Sequence, residues 1–210
     1  MKMRSLILSL TAVAAAVISA PASAQIYAGV GAGAVKPSGI DGSGVAAAVP
    51  FIVTRGDATK TSWKLVGGYQ FTPNWGLEAQ YSNLGTRSPT ATFGAPINAS
   101  GTFSGTAATQ WSLAGTGTYP LDSNLYAMGK LGATRNKIDG TSLTILGVTV
   151  SEGSDSKTYV LAGAGVGYNF NKNIGVRLEY ENFGKFSSNR GVNGGGIKAD
   201  GWSFVLKYAY

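Results

Sequence analysis

Seven charged side chains are the candidates for chemistry: Lys64, Glu78, Lys130, Arg177, Glu179, Glu181 and Lys207. Each lies where polar and apolar residues alternate, and in an extended chain such alternation sends successive side chains to opposite faces. The charges therefore gather on the face opposite the apolar one, with small and polar neighbours. Carboxylates and amines enclosed together can neutralise one another as ion pairs, or meet water and let small solutes pass. The sequence has no histidine and no cysteine. That removes the usual general base near neutral pH, every disulfide, and metal sites built on those ligands. No two carboxylates form a recognisable pair at a rim, so an enzyme is not expected. No catalytic, cofactor-binding or metal-binding residue is assigned, and no cofactor is expected.

Two glycine runs, Gly29-x-Gly31-x-Gly33 and Gly163-x-Gly165-x-Gly167, invite a nucleotide reading. Such a site needs its glycines between a strand and a helix, and that context is missing. Alternate glycines fit a crowded inward face of a narrow barrel instead. Asn98-Ala99-Ser100 matches a glycosylation sequon, a pattern short enough to occur by chance.

The elements that must position the charges come from an internal repeat. Residues 68–85 align without a gap with 167–184, sharing Gly-Tyr-x-Phe before a polar turn and Tyr-x-Asn-Leu/Phe-Gly after it. A weaker third copy, Tyr119-Pro120-Leu121-Asp122-Ser123-Asn124-Leu125, keeps the tyrosine, the apolar positions and the asparagine. Each copy reads as strand, tight turn, strand, with turns at Thr72-Pro73-Asn74, Asp122-Ser123-Asn124 and Asn171-Lys172-Asn173. Trp63, Leu65, Gly67, Tyr69 and Phe71 share one face, against Ser62, Lys64, Val66, Gly68 and Gln70 on the other. After the turns Leu77, Ala79 and Tyr81 alternate with Glu78, Gln80 and Ser82, and Val176, Leu178 and Tyr180 with Arg177, Glu179 and Glu181.

Three hairpins give six strands; one strand at 26–35 precedes them and one at 201–210 follows, for a total of eight. The remaining connections, near 36–61, 86–105, 136–156 and 185–200, are long and polar. Short turns at one end and long loops at the other is the asymmetry of outer-membrane barrels. Two loop stretches, 45–53 and 143–150, are apolar. They are read as barrel strands continuing beyond the membrane, or alternatively as a loop surface that touches a ligand or lipid.

The aromatic residues argue for a bilayer. Trp63, Trp111, Phe183 and Trp202 fall near the long-loop end, and Phe71, Trp75, Tyr119, Phe170, Tyr208 and Tyr210 near the short-turn end. Two aromatic girdles around an apolar band match two membrane interfaces. In lipid the sheet must close, because an open edge would leave backbone groups unpaired at several kcal/mol each. Eight strands leave an interior just filled by side chains, so an open channel is not expected.

With its leader, its repeated Asn-Trp/Ile-Gly…Tyr-x-Asn-Leu/Phe-Gly strands and its final Trp202-x-Phe204-x-Leu206-x-Tyr208-x-Tyr210, the chain resembles the OmpA/OmpX-type small outer-membrane β-barrel family. The resemblance covers the whole mature chain. It implies an all-β, eight-stranded, antiparallel, up-and-down transmembrane barrel. It also implies that the five residues of the final motif are the signal read by the barrel-assembly machinery, with Tyr210 as the terminal aromatic. No domain is expected after the barrel, so the peptidoglycan-anchoring role of longer OmpA-type proteins is not carried over.

Residues 1–24 read as a cleaved signal peptide: Lys2 and Arg4, an apolar run at 6–20, then Ala22-Ser23-Ala24 before Gln25. The barrel domain is then 25–210, in the outer membrane of a Gram-negative bacterium after export to the periplasm. Seventeen Lys and Arg against ten Asp and Glu give +7, or +5 without Lys2 and Arg4. These charges are scattered, whereas a nucleic-acid surface clusters them, so no nucleic acid is expected. Ten basic loop residues (Lys36, Arg55, Lys60, Arg87, Arg135, Lys137, Lys157, Lys185, Arg190, Lys198) face six acidic ones (Asp41, Asp57, Asp139, Glu152, Asp155, Asp200). Outer-membrane lipids and the phosphates of lipopolysaccharide are the expected partners, and the expected state is a monomer.

Inside the barrel, neighbouring strands offer Lys64 to Glu78, and Lys207 to Glu179 or Glu181, with Lys130 and Glu179 nearest mid-depth. The reading adopted is a structural plug of ion pairs, with a structural or surface-interaction role for the protein. The alternatives are a narrow gated pore controlled near Lys130 and Glu179, and an adhesin that binds external ligands through its loops.

Overall fold

The computed structural model describes residues 24–38, 42–46, 49–54, 59–87, 90–95, 99–102, 106–139, 141–145, 148–187 and 197–210. The signal-peptide reading of 1–24 thus falls, but for Ala24, outside the described residues, as does Asn98 of the sequon.

Eight strands form a closed antiparallel barrel: β1 (Gln25–Ser38), β4 (Lys60–Gln70), β5 (Trp75–Arg87), β8 (Thr106–Pro120), β9 (Leu125–Ile138), β12 (Asp155–Asn169), β13 (Ile174–Ser187) and β14 (Ile197–Ala209). They follow one another around the wall, and β1 closes the ring by pairing with β14 from Tyr27↔Ala209 to Ser38↔Lys198. Six shorter strands occupy the loops: β2 (Gly42–Ala46), β3 (Val49–Thr54), β6 (Thr90–Phe93), β7 (Ala99–Thr102), β10 (Thr141–Ile145) and β11 (Val148–Glu152).

The three short turns are built alike. In each, two successive amides donate to one carbonyl: Phe71 and Thr72 to Trp75 O, Leu121 and Asp122 to Leu125 O, Phe170 and Asn171 to Ile174 O. Side chains then cap the bend. Thr72 Oγ1 accepts from the Trp75 amide at 2.9 Å, and Asn171 Oδ1 from the Ile174 amide at 2.8 Å. Even the weakest repeat copy specifies the same backbone turn.

The sequence places the apolar stretches 45–53 and 143–150 on extended barrel strands, and the structure corrects this. They lie in separate hairpins: β2–β3 joins β6–β7 in a four-stranded sheet through Phe51↔Phe93 to Thr54↔Thr90, and β10 pairs with β11. Alternation reports an extended chain but not the partner it pairs with.

The barrel is inside out relative to a soluble one. Leu131 and Val160 are 65% exposed on the wall, whereas Lys64 and Glu179 inside it are 3% and 0% exposed. The girdle aromatics Trp63, Trp75, Trp111, Tyr119, Phe170, Trp202, Tyr208 and Tyr210 also face outward. On this outer surface Trp63, Tyr81 and Trp111 form a row, with ring centroids 5.5 and 4.8 Å apart. Phe183 departs from the expected girdle: it is buried in the lumen. Parity decides this, since Phe183 lies two residues beyond Glu181 on the same face, although its residue type suits an interface.

A bulge within β5 and β13 accounts for the repeated Asn-Leu/Phe-Gly. Gly85 and Gly184 have φ of 80° and 68°, a left-handed conformation that favours glycine. The Gly85 and Gly184 amides donate to Asn83 Oδ1 and Asn182 Oδ1, both at 2.9 Å, and the pairing register shifts at both places. These bulges leave Leu84 and Phe183 pointing inward, where they meet Val35, Ile138, Leu161 and Ala199 as an apolar cluster towards the long-loop end.

Candidate functional site

Below that apolar cluster the lumen holds the charges. All six of Lys64, Glu78, Lys130, Arg177, Glu179 and Glu181 are buried inside the barrel, and Lys207 is half-buried nearer the short turns. Small neighbours make the room. A Cβ on Gly163 would stand 3.0 Å from Lys130 Cγ and 3.2 Å from Glu181 Cγ, so the alternating glycines do line a crowded inward face.

Lys130 is the hub. Its Nζ donates to Glu78 Oε1 at 2.8 Å, Glu181 Oε1 at 2.9 Å, Glu179 Oε2 at 3.0 Å and Gln80 Oε1 at 3.3 Å. Lys64 Nζ donates to Glu179 Oε2 and to Glu181 Oε2, the latter at 2.7 Å. Arg177 places Nη2 2.8 Å from Glu78 Oε2 and Nε 2.8 Å from Glu179 Oε1, as ion pairs whose angles fall outside hydrogen-bond geometry. Tyr27 OH donates to Glu78 Oε2 at 2.9 Å. Three cations meet three carboxylates, so the cluster is neutral.

The pairs join distant parts of the wall. β5 and β13 lie four strands apart in either direction around the ring, so Arg177–Glu78 crosses the full diameter. These two residues occupy equivalent repeat positions, 99 residues apart, with opposite charge. Tyr27 and Tyr126, and Gly68 and Gly167, are spaced in the same way. Buried charge of this kind gives little net stability against an apolar filling, but loss of one partner is costly.

Two expected pairs do not form. Lys64 pairs with Glu179 and Glu181 rather than Glu78, and Lys207 has no carboxylate partner among the described residues. Register gives the reason. Gly68 is the residue opposite Glu78, four positions from Lys64, and Lys207 is opposite Gly175, four positions from Glu179. Four residues of strand span about 13 Å, so these neighbours on adjacent strands are too far apart while residues across the lumen meet. Lys130 and Glu179, the two residues expected nearest mid-depth, pair with each other.

Sequence reading missed Tyr27, Tyr126 and Asn136. Parity would have found them: Tyr27 shares the face of Gly29 and Gly31, and Tyr126 and Asn136 share that of Lys130. Asn136 Nδ2 donates to Phe183 O at 2.7 Å and Lys185 O at 2.9 Å, satisfying carbonyls at the bulge in β13. Among the described residues no group of acidic side chains could hold a metal ion.

The model of the outer membrane protein beta-barrel domain matches residues 5–209. The chain belongs to that family. This outer-membrane barrel thus lies in the lipid of the outer membrane, in agreement with its apolar wall. No curated protein sequence matches it. Among solved structures, OprG from Pseudomonas aeruginosa is similar at 13% identity and a TM-score of 0.53, over 90% of this chain and 96% of that one. Ail, the attachment invasion locus protein of Yersinia pestis, is similar at 17% identity and a TM-score of 0.47, over 89% and 99%. The N-terminal barrel of Pseudomonas aeruginosa OprF is similar at 11% identity and 0.49, over 90% and 100%. At 13% identity the likeness to OprG is one of fold alone.

Proposed function

We propose that this outer-membrane barrel is a closed, non-catalytic wall protein that acts through its surface and loops rather than by conduction. The observation that carries the reading is the Lys130 hub, which ties β5, β9 and β13 together across the lumen, with the apolar cluster around Phe183 beyond it. A solute passing through would have to separate several ion pairs at once and then cross an apolar constriction. Planar-bilayer recording tests this on the wild type, Lys130→Ala and Glu179→Ala. The closed reading expects no conductance steps from the wild type; wild-type steps that change in the two variants turn the plug into a gate.

Surface interaction is the working role. The loop sheet β2-β3-β6-β7 and the hairpin β10–β11 present extended backbone beyond the barrel, and the basic excess of the loops suits lipopolysaccharide phosphates. Replacing the exposed loop-side cations Arg135, Lys137 and Lys157 by glutamine should weaken binding to lipopolysaccharide while the barrel still folds; unchanged binding would remove the basic excess from the role. The final aromatic strand serves the assembly machinery, and the barrel works as a monomer. Purified refolded protein should show no lipid A deacylase, phospholipase or protease activity.

A further inference from the structure

We propose that the short-turn end of the lumen binds a small oxyanion, the carboxylate or phosphate group of a periplasmic solute. Among the described residues Lys207 is the lumen's fourth cation, and the other three already match the three carboxylates. Its ammonium lies 5.6 Å from the ring centre of Tyr27 and 5.5 Å from that of Tyr126, with no carboxylate partner among the described residues. Tyr126 is 9% exposed, and its hydroxyl has no hydrogen-bond partner there.

Both residues line a vestibule of about 660 Å³ bounded by the three short turns, and Arg177 lines it too. That size falls within the range of small-molecule sites. The one carboxylate in the lining is Asp122, and its Oδ1 already accepts from the Ser123 amide at 2.7 Å and the Ser123 hydroxyl at 3.4 Å. The rim is preformed: Gln70 Nε2 donates to Pro73 O at 2.8 Å and Asn74 Nδ2 to Thr118 O at 2.9 Å. Ordering the turns therefore adds little to the cost of binding.

The chemistry selects the ligand. The Lys207 ammonium, held over two rings but with no carboxylate partner among the described residues, offers donors to the vestibule, and the enclosed Tyr126 phenol behind it has its donor unmet, so the group that satisfies them is an acceptor. Negative charge on that acceptor also offsets the surplus cation, which is costly where lipid surrounds the wall. A carboxylate or phosphate oxygen meets both requirements. This site lies on the opposite side of the charged cluster from the loops and does not depend on whether the lumen conducts.

The experiment is an NMR titration of the refolded barrel in nanodiscs of neutral lipid. Sodium acetate and sodium phosphate are compared with sodium chloride at matched ionic strength. Acetate or phosphate should give saturable shifts confined to the surroundings of Lys207 and Tyr126, and whichever saturates first identifies the group. Lys207→Gln should weaken binding by about tenfold or more, and Tyr126→Phe by about threefold, with gel mobility before and after heating confirming closed barrels. Absence of saturable shifts in the wild type, shifts centred elsewhere, or undiminished affinity in Lys207→Gln would overturn the site. Should Lys207→Gln not fold, Tyr126→Phe decides, since it keeps the ring and removes only the hydroxyl.

Discussion

Replacing Lys130 by methionine removes the ammonium at the centre of the charged cluster while keeping a side chain of similar length, so the cavity it leaves is small. Four contacts between 2.8 and 3.3 Å are lost, three of them to carboxylates. Lys64 and Arg177 then face Glu78, Glu179 and Glu181, leaving one uncompensated negative charge in a tier where these residues are almost fully shielded. An orphaned buried charge costs about 3–5 kcal/mol, against about 0–1 kcal/mol for a solvated surface pair. The assay is urea unfolding of the barrel refolded into vesicles, read by the four tryptophans, of which Trp63, Trp75, Trp111 and Trp202 all face lipid. The double variant Lys130→Met with Glu181→Gln restores two cations to two carboxylates and should recover more than half of the loss. A loss below about 1 kcal/mol in the single variant, or no recovery in the double, would refute the picture of a dry, charge-balanced cluster.

Gly132→Ala should destabilise the barrel by about 2 kcal/mol or more in the same assay, because its Cβ would fall 2.1 Å from Leu113 O and 2.4 Å from Ala114 Cα of the adjacent strand. Gly67→Ala, with open space on the lipid face, is its control and should change stability by less than about 0.5 kcal/mol. Asn136→Ala strips partners from Phe183 O and Lys185 O and should cost about 2 kcal/mol by urea midpoint. Phe183→Ala opens the apolar cluster and should cost about 3 kcal/mol, yet vesicle-leakage assays should find the barrel still closed by the tier below.

The sequence by itself determined the barrel, its strand number, the positions of its three tight turns and which face carries the charges. Period-two alternation and turn chemistry are local properties, and each is written within a few consecutive residues: Leu77 to Ser82 declares its two faces without reference to any other strand. The seven lumen candidates could be named for that reason. Which of them meet was decided by tertiary structure. Adjacent strands carried Lys64 and Glu78 four positions out of register, while closure brought Lys64 to Glu179 and Glu181, and Arg177 to Glu78 across the diameter. Phe183 was legible locally, since its parity with Glu181 directs it inward although its residue type suits the membrane interface, whereas the lack of a carboxylate partner for Lys207 among the described residues exists only once all eight strands are in place. Faces follow from local chain geometry; pairings across a lumen follow from strand register and ring closure, which no short stretch of residues contains.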